Sequence, residues 1–64
     1  MIIRFSRKLY NLKAVRDGIS AYGDIADFVL SKNERFFIVE IKSSEDKEDF
    51  ICEEFCNYVL SKVK

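Results

Sequence analysis

Apolar and polar positions along this chain switch between a period of two and a period of about 3.6, and the switches divide it into five elements. Ile3 and Phe5 share one side while Ile2 and Arg4 share the other, which predicts a first strand over residues 2–5. Ser6-Arg7-Lys8 is a polar connection. Asn11 is placed to cap a helix, since its side-chain oxygen can accept from a free amide of the first turn. Tyr10 before that cap and Val15 inside it have the spacing of a hydrophobic staple. Leu12, Val15, Ile19 and Tyr22 then recur at helical spacing. Ala14 and Gly18 beside them are small enough to let another backbone come close. Gly23 is the expected stop, in the left-handed conformation that glycine tolerates.

Alternation resumes at Ala26, Phe28 and Leu30, against Asp27, Val29 and Ser31, and predicts a second strand. Lys32-Asn33-Glu34-Arg35 is a short turn in which Asn33 suits a positive φ. A third strand, FFIVEIK, follows at once, with Phe37, Val39 and Ile41 on one side and Phe36, Ile38, Glu40 and Lys42 on the other. It is apolar on both sides at its start, which places it centrally. Ser43-Ser44-Glu45-Asp46 opens the last helix: serine offers a cap, the sequence leaves the capping residue open, and the acidic residues complement the positive end of the dipole. Lys62 and Lys64 stand at the negative end.

In that helix, the stretch Asp49–Lys64, residues Cys52, Phe55, Cys56, Val59 and Val63 fall on one side at about 100° per residue. Ile51, Tyr58 and Leu60 widen the stripe, and Glu53, Glu54, Asn57 and Ser61 form a polar strip opposite. More than half the circumference is apolar, so the domain wraps this helix deeply or a second chain covers part of it.

The order βαββα predicts an α+β domain, residues 1–64 as one unit. The first and second strands are parallel across the helical crossover, and the second and third form an antiparallel hairpin. A three-stranded mixed sheet in the order 1-3-2 results, with two helices on one face, half of a ferredoxin-like fold. The uncovered face carries Ile2, Val29, Phe36 and Ile38 among charged residues, an apolar patch that calls for a partner.

Composition adds to this picture in four places. The chain has 64 residues, so only roughly 60% of its unfolded surface is buried on folding and extra stabilisation is needed. Two cysteines and no histidine rule out a disulfide framework and a complete metal site, leaving oligomerisation or a hetero-partner. No apolar run reaches the roughly 18–20 residues of a membrane span, and Arg4 interrupts the start of any signal-peptide core, so a cytoplasmic protein is expected. Abundant Lys and Glu without Gln leans toward a thermophilic source.

Eleven basic and eleven acidic residues cancel, but they are unevenly placed. Arg4, Arg7, Lys8, Lys13 and Arg16 precede any acidic residue, while six acidic residues and one lysine lie between Glu45 and Glu54. The basic group, interleaved with Phe5 and Tyr10, is a candidate nucleic-acid surface, with Phe36 as a stacking platform. Zero net charge and the lack of an RNP aromatic pattern argue against it. Cys52 and Cys56, four apart on a helix, could form half of a zinc site shared between two copies, but buried thiols also serve as small hydrophobes. Glu45, Asp46, Glu48 and Asp49 lack the glycine and the spacing of a calcium loop. With no histidine and no phosphate-cradling glycines, neither catalysis nor a cofactor is expected.

One resemblance draws on several of these positions. Leu9, Tyr10, Ala14 and Val15 at the start of the first helix, and Tyr22 closing it, precede a hairpin and a final Glu54-Phe55-x-Asn57-x-x-Leu60. This pattern, from about Phe5 to Leu60, resembles the HxsD-like family, small proteins typified by the D component of His-Xaa-Ser peptide-modification systems. The resemblance implies a non-enzymatic accessory protein associated with radical-SAM enzymes that mature ribosomally made peptides, with no catalytic residue to carry over. Glu54 and Asn57, on the polar strip, are its candidate interaction residues, beside Ile2, Phe36 and Ile38 on the open sheet face.

Overall fold

FFIVEIK is apolar on both faces, and the sheet is built around it. A computed structural model describes residues 1–43 and 47–63. It contains β1 (Ile2–Ser6), α1 (Leu12–Tyr22), β2 (Asp27–Lys32), β3 (Phe36–Lys42) and α2 (Glu48–Ser61). The strands lie in the order β1-β3-β2. Phe5 stands opposite Phe37 in one ladder, and Leu30 opposite Val39 in the other. Both ladders are antiparallel. The expected mixed sheet is therefore corrected: β1 and β2 do run the same way, but β3 separates them, and among the described residues no parallel ladder forms. Met1 extends the β1 edge, its carbonyl accepting from the Ile41 amide at 2.7 Å.

Phe37, Val39 and Ile41 point into the core, together with Phe5, Ala14, Val15, Ile51, Phe55 and Val59. Ile3, Phe28 and Leu30 pack against them from the flanking strands. Phe55 is the centre of this cluster. Its ring lies 5.0 Å from that of Phe28, 5.9 Å from Phe5 and 6.4 Å from Tyr22. One side chain of α2 thus touches both edge strands and the other helix.

α1 begins as expected, with Asn11 in extended geometry and its side-chain oxygen accepting from the Ala14 amide at 2.7 Å. The Tyr10 ring meets Phe5 edge-on, with centroids 4.9 Å apart. Gly18 is buried against α2. A Cβ built on it would stand 2.7 Å from Val59 Cγ2 and 2.8 Å from Phe55 Cε1, inside van der Waals contact. The close approach anticipated at Ala14 and Gly18 is therefore between α1 and α2.

Two local expectations are corrected. Gly23 ends α1 in right-handed geometry, φ −64° and ψ −18°, so no left-handed residue is used there. Asn33 also keeps a negative φ. Its side-chain oxygen instead accepts from the amides of Arg35 and Phe36, both at 2.8 Å, and its own amide donates to the Phe36 carbonyl. At α2, whose cap the sequence left open, the N-cap is Lys47, and Glu48 and Asp49 are the acidic residues of the first turn. Ser44, Glu45, Asp46 and Lys64 lie outside the described residues. Lys62 caps the far end of the helix. Among the described residues, no helix is long and apolar enough to cross a membrane.

The hairpin turn offers a test by sign. If Asn33 served by adopting a positive φ, glycine would match or improve on it. Because its side chain ties down two amides, Asn33→Gly is expected to lower stability by about 1 kcal/mol. Chemical denaturation of the two proteins measures the difference.

Candidate functional site

Apart from Met1, Leu9 and Ile25, which lie outside the strands and helices, the large exposed apolar side chains among the described residues gather on two surfaces, and both follow from the periods of the elements that carry them. The first is the sheet face away from the helices. Strand pairing arranges it in rows across the sheet: Ile2, Glu40 and Val29 in one, Arg4, Ile38 and Ser31 in the next, and Ser6 with Phe36 beyond. Lys42 and Asp27 form the row at the other end. Ile2 is 60% exposed and Val29 52%, while Phe36 and Ile38 are half-buried. The structure thus brings together the three candidate residues assigned to this face.

The second surface is the outer side of α2. Ile51, Phe55 and Val59 are buried. At 100° per residue, Phe50, Glu53, Asn57 and Leu60 project on the opposite side. All four are exposed, Phe50 at 63% and Leu60 at 58%. Leu60 therefore does not widen the buried stripe as its apolar character suggested. Glu54 also departs from expectation: it is half-buried, one turn before Tyr58, whose ring packs on Tyr22 at 5.8 Å. Only Asn57 of the proposed pair faces fully outward. Phe50 was missed because it lies outside the apolar stripe. Its signal in the sequence is its spacing from Glu53, Asn57 and Leu60, at three, seven and ten residues.

The basic candidates do not share one surface. Arg4 stands on the open sheet face beside Ile38. Lys13 and Arg16 are exposed on α1. Arg7 and Lys8 lie at the hairpin end, in a groove of about 430 Å³ lined also by Ser6, Glu34, Arg35 and Phe36. Arg7 is engaged within the fold: its guanidinium donates to the Asn33 carbonyl at 2.6 Å and lies 5.4 Å from the centre of the Phe37 ring. Arg35 joins Arg7 there because the β1–β3 ladder continues past Ser6, with the Arg7 amide donating to the Arg35 carbonyl at 2.9 Å.

Cys52 and Cys56 are free thiols, both half-buried on the flank of α2. Burial first, and the neighbouring Cys52 thiol second, push Cys56 up to about 11 from an ordinary 9.0. A thiol held neutral in this way is a poor nucleophile and a reluctant metal ligand. Among the described residues, no group of three or more His, Cys, Asp or Glu could hold a metal ion.

No protein-family model, curated protein or solved structure matches this chain.

The thiol pair gives a pH prediction. Moving from 9.0 to about 11 cuts the thiolate fraction at pH 8 roughly a hundredfold. Alkylation of Cys56 in the folded protein, followed by site-resolved mass spectrometry, is expected to be slower than in the denatured chain by about that factor. The rate should keep rising up to pH 11.

Proposed function

We propose that this protein is a non-enzymatic accessory module that binds a partner protein through the outer face of α2. The observation that carries this reading is the exposure of Phe50 and Leu60. Two large apolar side chains lie on one strip with Glu53 and Asn57 between them, in a helix whose other side already fills the core. Exposed apolar side chains with polar groups between them, on the outer side of a helix, suit docking by that face.

The resemblance to the HxsD-like family supports the kind of partner. Most of its positions fall into two sets, while Leu9 is exposed in the turn before α1 and Glu54 is half-buried on α2. Ala14, Val15 and Phe55 are buried, and Tyr10 and Tyr22 are half-buried, so their presence is explained by packing. Asn57 and Leu60 are exposed on the same strip and do nothing for the core. Residues of a shared pattern that the fold does not need suit a shared partner, and the resemblance implies a radical-SAM enzyme acting on a ribosomally made peptide. Nucleic acid is less well supported: Arg4 is on the opposite side of the sheet from α1, and Arg7 is already bound to Asn33 and Phe37.

Binding to a radical-SAM enzyme encoded next to this chain tests the reading. Leu60→Glu is expected to weaken binding at least about tenfold, equivalent to about 1.4 kcal/mol, and Asn57→Ala to weaken it less, with circular dichroism unchanged. Affinity that is indifferent to both substitutions contradicts the assignment to α2.

A further inference from the structure

The open sheet face is distinct from the α2 strip, and its charges say what covers it. Besides its four apolar side chains it carries two basic residues, Arg4 and Lys42, and two acidic ones, Asp27 and Glu40. A face that meets its own copy across a two-fold axis must be complementary to itself. A single-sign face would repel its copy, whereas this one sums to zero, with Glu40 and Arg4 in adjacent rows and Lys42 opposite Asp27 at one end. Among the described residues, neither Arg4 nor Glu40 is in an ion pair within the chain.

We infer that this face seats a second copy of the same chain, sheet against sheet. The register follows from the rows. A two-fold axis lying in the interface, across the strands and midway between the Ile2–Glu40–Val29 row and the Arg4–Ile38–Ser31 row, lays each row on the other row of its partner. Each strand then lies over its own counterpart. Arg4 of one copy sits above Ile2 and beside Glu40 of the other, and the aliphatic side chains fill the centre. The row of Lys42 falls on that of Phe36, placing an ammonium over an aromatic face. Three strands cover less than the ~800 Å² per partner of a standard interface, so a weak, concentration-dependent dimer is expected. It also supplies apolar burial that a chain of this size lacks by itself.

Light scattering across a dilution series from near-millimolar to low micromolar tests the inference. The mass is expected to fall from about 15 kDa, twice the 7.5 kDa of one chain, toward 7.5 kDa on dilution. Glu40→Arg sets like charges across the interface, as does Arg4→Glu, and each is expected to weaken the dimer more than tenfold. The double variant Arg4→Glu/Glu40→Arg is expected to restore it. Circular dichroism shows that each variant is folded. A wild-type mass of 7.5 kDa at every concentration overturns the inference. So does a dimer that either single variant leaves intact, or a folded double variant that stays monomeric. None of these outcomes bears on the α2 strip, which is read out with a different partner.

Discussion

The contact of Gly18 with Val59 and Phe55 is the constraint on which the rest of this fold depends. α1 can lie close on α2 only because position 18 has no side chain. That approach presses Phe55 down among Phe5, Phe28 and Tyr22, and so joins both helices to both edge strands through one ring. A 64-residue chain has few buried side chains to spend on separate helix–helix and helix–sheet cores. Here one aromatic residue serves both. Val15, Val39, Ile41, Phe55 and Val59 are the large side chains fully removed from solvent, and they come from α1, β3 and α2.

The architecture could be read from the chain because its periods are unambiguous. Two apolar faces on FFIVEIK placed it in the centre, and that placement decided the strand order. The Asn11 cap and the small-residue contact at Gly18 were legible for the same reason, since each follows from local chemistry. The misreadings arose where one residue type has two uses. Asn33 and Gly23 both tolerate a positive φ, but Asn33 works through its side-chain oxygen and Gly23 ends its helix in right-handed geometry. Leu60 is apolar, and nothing in its identity shows that it projects away from Val59. A helical wheel with more than half its rim apolar does not indicate which part meets the core. The core residues of β1, β2 and α1 decide that, and they lie far away in sequence.

Surface roles were less legible still. The five early basic residues look like one group in sequence, yet β1 sends alternate side chains to opposite faces, and α1 carries the last two elsewhere. The hairpin end gains Arg35 only through the β1–β3 ladder, which joins positions 28 residues apart. The cysteines, by contrast, changed little: they flank the core, and burial keeps the Cys56 thiol protonated. What remains outward on α2 and on the open sheet face are two apolar strips that the fold itself does not consume. Both are the surfaces on which the proposed associations rest.

The central claim is the close approach at Gly18, and the stability of Gly18→Ala tests it most directly. In an ordinary helix position that substitution stabilises by about 1 kcal/mol, because alanine is the better helix former. Here the added methyl meets a stiff, fully buried Val59 and the Phe55 ring. The account predicts a lower melting temperature, with a loss of roughly 1–3 kcal/mol from overpacking that outweighs the propensity gain. An unchanged or raised melting temperature would contradict it, because it would mean that α1 and α2 are not held together at this point.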